Sequence, residues 1–306
     1  MGKVSSNSVA ARGGEVVAAG PALGAPGPTQ QTLPAEPLVV IEAAAKWRAL
    51  GLKDAWAYRE LLYFLVWRDV KVRYKQTALG AAWALLQPLF MMIVFTVFFG
   101  RVASGAVPDV PYPLFALTGL VPWTFFANSV GSSSNSLVAN AHLVTKVYFP
   151  RMLVPVASIG AGLVDFGLSL SLLAAVLVYY RVGLTANVLM LPVLLLLCAL
   201  FALAVGTWLS GVNVKYRDVR FALPFVIQLW LFVSSVILPS SAVPERWRWL
   251  LILNPVSSII EGFRSSLLGL PFDWRALGVA AAVTVAALLF AAHSFRRVER
   301  QFADII

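Results

Sequence analysis

The sequence predicts an all-α polytopic membrane protein: six transmembrane helices, an amphipathic interface helix before the first, and re-entrant gate helices between spans five and six. Three observations lead there. Of the 306 residues, 59% are hydrophobic and only 12% charged, against about half and a quarter in soluble domains; mean hydropathy is +0.81. Six apolar runs, 79–99, 113–137, 152–180, 187–212, 221–238 and 276–292, approach or exceed spanning length, for which about 20 residues are needed. A basic amphipathic segment leads into the first run. The net charge of +10 sits in residues flanking these runs. Lipid headgroups and the positive-inside bias explain it more simply than nucleic acid does.

Residues 1–50 are expected to be a disordered tail, since 1–38 are rich in Ala, Gly, Pro, Ser and Val and hold few large apolar residues. No continuous apolar stretch of signal-peptide length occurs there, so targeting is expected from the first span. The interface helix is expected over 55–78. On a helical wheel Tyr58, Leu61, Leu62, Leu65, Val66 and Val70 gather on one side, and Arg68, Lys71 and Lys75 lie roughly opposite. Asp69 and Arg73 interrupt the apolar sector but stand i, i+4, where they can pair. Such a helix lies in the headgroup plane and then feeds a spanning helix. A plain positive-inside anchor is the competing reading.

The rest, 79–300, is read as the six-helix transmembrane domain. Thirteen Lys and Arg fall on the side of the amino terminus and six on the other, so both termini are expected to be cytoplasmic. On that side lie two short basic segments, NAHLVTKVYFPRML at 140–153 and VKYRDVRFALP at 214–224. Such pieces can plug into a partner's cleft, with Tyr148, Phe149, Tyr216 and Phe221 as anchors, or they are tight basic turns. Between spans five and six, residues 239–275 hold two apolar pieces too short to cross, broken at Asn254-Pro255. Pro255 disfavours helix at Asn254 and suits the start of a second helix. A pair of half-helices dipping into the outer leaflet fits, with Trp247 and Trp249 at the interface. Glu261 and Arg264, at i, i+3, can neutralise each other there. An amphipathic surface loop is the alternative.

No catalytic constellation is present. The two histidines, His142 and His293, lack any metal-ligand spacing, and no nucleophile elbow occurs. No phosphate-binding loop exists either, so nucleotide-driven transport needs its motor from another polypeptide. The single Cys198 allows no intrachain disulfide and reads as a small core residue. Asp165 sits inside the third run, where an isolated charge is costly. It is either a proton relay or a carboxylate hydrogen-bonded to a neighbouring helix. Gly160 and Gly162 with Ser158 permit close helix approach. Spans one and five are rich in aromatics, including Trp83, Phe90, Phe95, Phe225, Trp230 and Phe232. Rings of this kind stack on sugars or face lipid, and the sequence does not orient them.

Four phrases carry a resemblance: LVWRDVKVRYKQTALGAAWALLQPLF at 65–90, LFALTGLVPWTFFANSVGSSSNSLVANAHLVTKVYFPRMLVPVAS at 114–158, VKYRDVRFALPFVIQLWLF at 214–232 and LNPVSSIIEGFRSSLLG at 253–269. Over about 55–300 the chain resembles the membrane subunit of ABC-2 type exporters of cell-surface polysaccharides, such as O-antigen, capsule or teichoic acid. The resemblance implies a permease, not an enzyme, in a bacterial inner (cytoplasmic) membrane. It implies a homodimer with two copies of a separate P-loop ATPase, which binds ATP and Mg; this chain itself would bind no cofactor. The substrate it implies is a glycan on undecaprenyl pyrophosphate or a similar lipid, and the channel forms between spans one and five of both copies. By the same likeness, coupling helices lie at about 140–149 and 214–221, with His142, Lys146, Tyr148, Phe149, Lys215, Tyr216 and Arg217 facing the ATPase. Gate helices lie at about 244–270 with Trp247, Asn254, Glu261 and Arg264, and Arg68, Lys71 and Lys75 attract pyrophosphate as well as lipid. The alternatives are an ABC-2 permease for a drug or lipid, a membrane-embedded glycolipid-modifying enzyme, and a proton-coupled carrier resting on Asp165.

Overall fold

The computed structural model describes residues 57–75, 80–103, 110–147, 149–183 and 185–299. The expected tail at 1–50 and Tyr148 lie outside these residues. Every regular element among the described residues is a helix. In order they are α1 (Arg59–Tyr74), α2 (Ala82–Ala103), α3 (Tyr112–Ala139), α4 (Ala141–Lys146), α5 (Leu153–Tyr179), α6 (Leu191–Lys215), α7 (Val219–Val233), α8 (Glu245–Leu253), α9 (Pro255–Leu268) and α10 (Trp274–Glu299). Five helical stretches are long and apolar enough to cross a bilayer: Ala82–Arg101, Tyr112–Ala139, Leu153–Tyr179, Ala186–Lys215 and Trp274–Glu299.

The fifth apolar run, 221–238, behaves differently. It is helical only over Val219–Val233, about 22 Å at the usual rise and short of a ~30 Å hydrocarbon core. From Ser234 the chain is non-helical, yet Ser234 to Ile237 stay buried. Buried backbone must find partners, and here it does. Arg264 donates to the carbonyls of Ser235 and Val236, the latter at 2.8 Å. The Tyr112 hydroxyl donates to the Ile237 carbonyl at 3.1 Å.

Helix α3 is the hub, packing on α2, α5, α6, α7 and α9, and of the five long helices it alone is mostly buried. Small residues let its neighbours approach. A Cβ on Gly162 of α5 would stand 2.8 Å from the Ser129 hydroxyl, and one on Gly206 of α6 would stand 2.6 Å from Ser133. Gly160 performs the same service for α1, facing Val66 at 2.8 Å, so the small patch read at 158–162 brings two helices onto α5. Farther along α3, Phe126 stacks on Phe201 at 5.5 Å and meets Trp230 edge-on at 5.1 Å, which joins α3, α6 and α7.

A second, smaller core lies at the end of the bundle that carries most Lys and Arg. Leu65 of α1, Leu137, Val144, Phe149, Leu153, Val214 and Phe295 bury one another. Residues from α1, α3, α4, α5, α6 and α10 thereby share one cluster.

At the opposite end the Asn254-Pro255 break is present. Asn254 is extended between α8 and α9. Its Oδ1 caps α9 by accepting from the Val256 amide at 3.2 Å, and accepts from Trp230 Nε1 at 3.1 Å. Its Nδ2 donates to the Ser234 hydroxyl at 3.1 Å. Proline at the first helical position costs α9 nothing, because that amide would be unpaired anyway. Helix α9 ends at Gly269, whose φ of 71° is left-handed, a conformation glycine adopts without a Cβ penalty.

Arg264 needs room beside α3, and Gly119 supplies it: a Cβ there would lie 2.6 Å from Arg264 Nη2. Gly119→Ala is therefore expected to destabilise the fold by about 1–3 kcal/mol through overpacking. A lowered melting temperature of the purified chain checks this, whereas Gly131→Ala, with open space around it, should leave the melt nearly unchanged.

Candidate functional site

The basic end is built on α1. Leu65 is buried, Leu61, Leu62 and Val66 pack beside it, and α1 lies along α5. The outward face holds more than the basic stripe, because Tyr63, Phe64 and Trp67 are also exposed, at 71%, 62% and 56%. Lys71 and Lys75 stand free of the core among them. Alternating rings and cations suit a headgroup layer, where aromatic edges and ammonium groups both find partners. Phe64 and Trp67 stand with Lys71 and Lys75 at i, i+3, i+7, i+11, so these rings are legible in the sequence beside the cations.

The expected Asp69–Arg73 pair does not form. Arg68 instead binds Asp69 at 2.8 Å, which removes one member of the basic stripe from free solution. Arg73 pairs with Asp165 of α5 and also donates to Ser132 of α3 at 3.3 Å. Tyr74 donates its hydroxyl to the other Asp165 oxygen. Burial, then the hydrogen bond to Asp165 and its charge, push the Tyr74 phenol up to about 12 from its usual 10. It stays protonated and donates throughout the physiological range. Both Asp165 oxygens thus serve in a clamp between the end of α1 and the middle of α5. Of the two possibilities for Asp165, the carboxylate hydrogen-bonded to a neighbouring helix is the one these contacts match, with Arg73 and Tyr74 of α1 as its donors. Beside the clamp is a cavity of about 190 Å³ reaching Trp83, Gln87 and Asn128, small beside roughly 300 Å³ for the least small-molecule site.

The two basic loops differ from each other. The first is a short helix, Ala141–Lys146, followed by extended chain. His142 and Lys146 are exposed. Phe149 is 5% exposed and belongs to the basic-end core, so it anchors the loop inward and does not offer itself to a partner. The second is a turn and not a helix of its own: α6 runs to Lys215, Tyr216 is extended, and α7 starts at Val219. Lys215, Tyr216 and Arg217 are all exposed. The Lys215 ammonium sits 5.1 Å from the Tyr216 ring and the Arg220 guanidinium 5.4 Å from the Phe221 ring. Cations beside exposed rings suit an acidic, apolar-lined recess.

The six aromatics singled out in spans one and five separate into two groups. Phe95 is buried against Phe99, and Trp230 belongs to the Phe126–Phe201 cluster with its indole N–H on Asn254. These two hold the protein together. Trp83, Phe90, Phe225 and Phe232 are 54–66% exposed. On α2, Trp83, Phe90, Val94 and Val97 share one face by their i, i+7, i+11, i+14 spacing, and on α7, Phe221, Phe225, Gln228 and Phe232 share another by their i, i+4, i+7, i+11 spacing. Each face is outward in the single chain.

At the far end Trp247 is half exposed with Arg246 against its ring at 5.8 Å. Glu261 and Arg264 pair at 3.3 Å as expected. Arg264 does more than neutralise Glu261: it is 1% exposed and lies 3.6 Å over the Phe115 ring. Among the described residues no group of His, Cys, Asp or Glu could hold a metal ion.

Comparisons with known proteins give a family and several relatives. The sequence profile of the ABC-2 type transporter family matches residues 60–268. The O-antigen export system permease protein RfbA of Myxococcus xanthus is 32% identical over 259 residues, covering 83% of this chain and 98% of that protein. A protein of the same name from Klebsiella pneumoniae is 26% identical, over 81% and 95% of the two chains. The polysialic acid transport protein KpsM of Escherichia coli is 23% identical, over 66% and 78%.

Breaking the clamp tests its energetics. Arg73 and Asp165 side chains are 27% and 24% exposed, so screening reduces their coupling below that of a fully buried pair. A double-mutant cycle with Arg73→Gln and Asp165→Asn is expected to give a coupling of about 1–2 kcal/mol, read from thermal unfolding. Additive single effects would show that the two do not interact.

Proposed function

This chain belongs to the ABC-2 type transporter family, and from that premise we propose that it is the membrane permease of an ATP-driven exporter of lipid-linked cell-surface polysaccharide. It is a transport subunit and not an enzyme. The observation that carries the proposal is the pair of outward aromatic faces, Trp83 and Phe90 on α2, and Phe225 and Phe232 on α7. In a lone chain these rings have no protein partner in front of them. Between two copies they would line a passage whose flat apolar walls suit sugar rings sliding past, because stacking on a pyranose face is strong enough to guide and tolerant of sequence. The likeness to permeases named for O-antigen and polysialic acid supports a glycan over a drug.

The remaining parts take their places in this reading. Two copies of this subunit work with two copies of a separate P-loop ATPase, which holds ATP and Mg. The protein sits in the bacterial inner membrane with both termini in the cytoplasm, so the basic end faces the motor. Helix α1 lies in the headgroup layer, where Lys71 and Lys75 attract anionic headgroups and the substrate's pyrophosphate. The fifth crossing consists of α7 together with the buried segment Ser234 to Ile237. Helices α8 and α9 dip back from the exterior as a gate, and the Arg264 contacts let non-helical backbone exist at that depth. Motion enters through the Ala141–Lys146 helix and the Tyr216 turn. The shared core around Phe149 passes it to α1, α5 and α10 together.

Tyr216 and Phe149 separate contact from support. Tyr216→Ala removes an exposed ring, so the chain should insert and melt as before while glycan display and substrate-stimulated ATP hydrolysis fall about tenfold. Phe149→Ala opens a cavity in the basic-end core and is expected to cost about 3–5 kcal/mol, visible in the melt. Normal glycan display by cells carrying Tyr216→Ala would overturn the coupling assignment. Recovery of the tagged chain without any P-loop ATPase, from cells that do display the glycan, would overturn the proposed function itself.

A further inference from the structure

Helix α10 is gripped at its basic end by a residue that the coupling account has not yet used. Arg151 lies between the first basic loop and α5, and its guanidinium donates to the Glu299 carbonyl at 3.0 Å. Carbonyls in the last turn of a helix lack intrahelical partners, and a cation there also meets the negative end of the helix dipole. The contact is returned, because the Arg151 backbone hydrogen-bonds the Glu299 carboxyl. Close by, Phe295 is buried in the basic-end core. A Cβ on Gly211 of α6 would touch Phe295 and Val298 at 3.8 and 3.9 Å, so the last turns of α10 are braced on α6.

The same helix reaches the gate. With 26 residues, α10 is about 39 Å long at the usual rise. Pro88, Pro122 and Pro224 lie inside α2, α3 and α7, but α10 holds no proline. Proline is the common cause of a kink, so α10 can move as one piece. Asp273 caps its start by accepting from the Arg275 and Ala276 amides at 3.1 and 3.0 Å. From there α10 packs on both α8 and α9. Helix α9 is pinned by Arg264 and Asn254, and by the Ser266 hydroxyl donating to the Asn187 carbonyl at 2.7 Å. Helix α8 buries none of its nine residues and rests on α9 and α10. A cavity of about 490 Å³ between α8, α9 and the start of α10 leaves it room to move.

We propose that Arg151 is a positioning residue for export: movement of the first basic loop enters α10 through the Arg151–Glu299 joint, and α10, braced on α6, carries it to α8. The joint deepens the export reading and rests on it for the motor and for the gate. The second basic loop feeds the same pair directly, since Tyr216 ends α6. Transmission through the packed core alone would not depend on one guanidinium, and that difference can be measured.

The test uses the purified permease–ATPase complex in nanodiscs, with Ile252→Cys on the cavity side of α8 as reporter. The native Cys198 is buried and does not compete for an aqueous methanethiosulfonate reagent. ATP bound to an ATPase unable to hydrolyse it is expected to change the labelling rate at position 252 by about fivefold or more, the size of an ordinary coupling between sites. Arg151→Ala should abolish that change while the ATPase still co-purifies and the competent complex still hydrolyses ATP. Arg151→Lys, whose ammonium can donate to the same carbonyl, should restore it. Should Arg151→Ala fail to assemble, Ala282→Gly/Ala286→Gly, at exposed positions midway along α10, loosens the helix between its ends and should reduce the change severalfold. A change that survives these substitutions, one that Arg151→Lys fails to restore, or none at all in a complex that exports glycan would each overturn the joint. Glycan display is scored separately: an Arg151-dependent response in a complex that displays no glycan removes the export reading and leaves the joint standing.

Discussion

A buried guanidinium with nowhere to send its charge organises the far end of this molecule. Arg264 can stay charged out of water only if every nearby acceptor turns toward it, and four do: the carbonyls of Ser235, Val236 and Phe115 and the Glu261 carboxylate. The arrangement serves both sides. The carbonyls beyond α7 lose their helical partners when the helix stops at Val233, and Arg264 replaces them. Without that replacement the Ser235 and Val236 carbonyls would be buried without partners, at a cost that favours a different path for the chain after Val233. Gly119 on α3 is shaped by the same demand, since no side chain fits beside the guanidinium.

The opposite end obeys the same rule with different groups. Asp165 is costly in the middle of α5, and Arg73 and Tyr74 meet both of its oxygens. That pairing fixes the end of α1 against the middle of α5. Below it, the core around Leu65 and Phe149 joins the first basic loop to α1, α5, α6 and α10. A push on the loop therefore reaches several helices at once. The two ends are linked through α3, whose glycine- and serine-mediated contacts leave little slack.

Much of this was legible in the chain itself. Apolar runs of spanning length stood out, as did the Asn254-Pro255 break and the Glu261–Arg264 pair, because each depends on local spacing. What escaped depends on distance along the chain. Arg73 finds Asp165 ninety-two residues away, and a helical wheel of 55–78 shows only the nearer Asp69. The end of α7 at Val233 escaped because Leu, Val and Ile read alike in helix and in buried extended chain; the signal was Ser234-Ser235 followed by Pro239. Composition named the aromatics of spans one and five but could not separate the structural Phe95 and Trp230 from the outward Trp83, Phe90, Phe225 and Phe232. Phe149 looked like an exposed anchor because its neighbours are basic, yet it packs inward.

Reconstitution decides the central claim. The permease, together with the ATPase that co-purifies with it, is placed in proteoliposomes whose outer leaflet carries the lipid-linked glycan, and glycan protected from an external glycosidase is counted. Export by this subunit predicts protected glycan that accumulates with ATP and Mg and stays at background without ATP or with an ATPase unable to hydrolyse it. Accumulation independent of the ATPase, or none with ATP in a complex that hydrolyses it normally, would contradict the account.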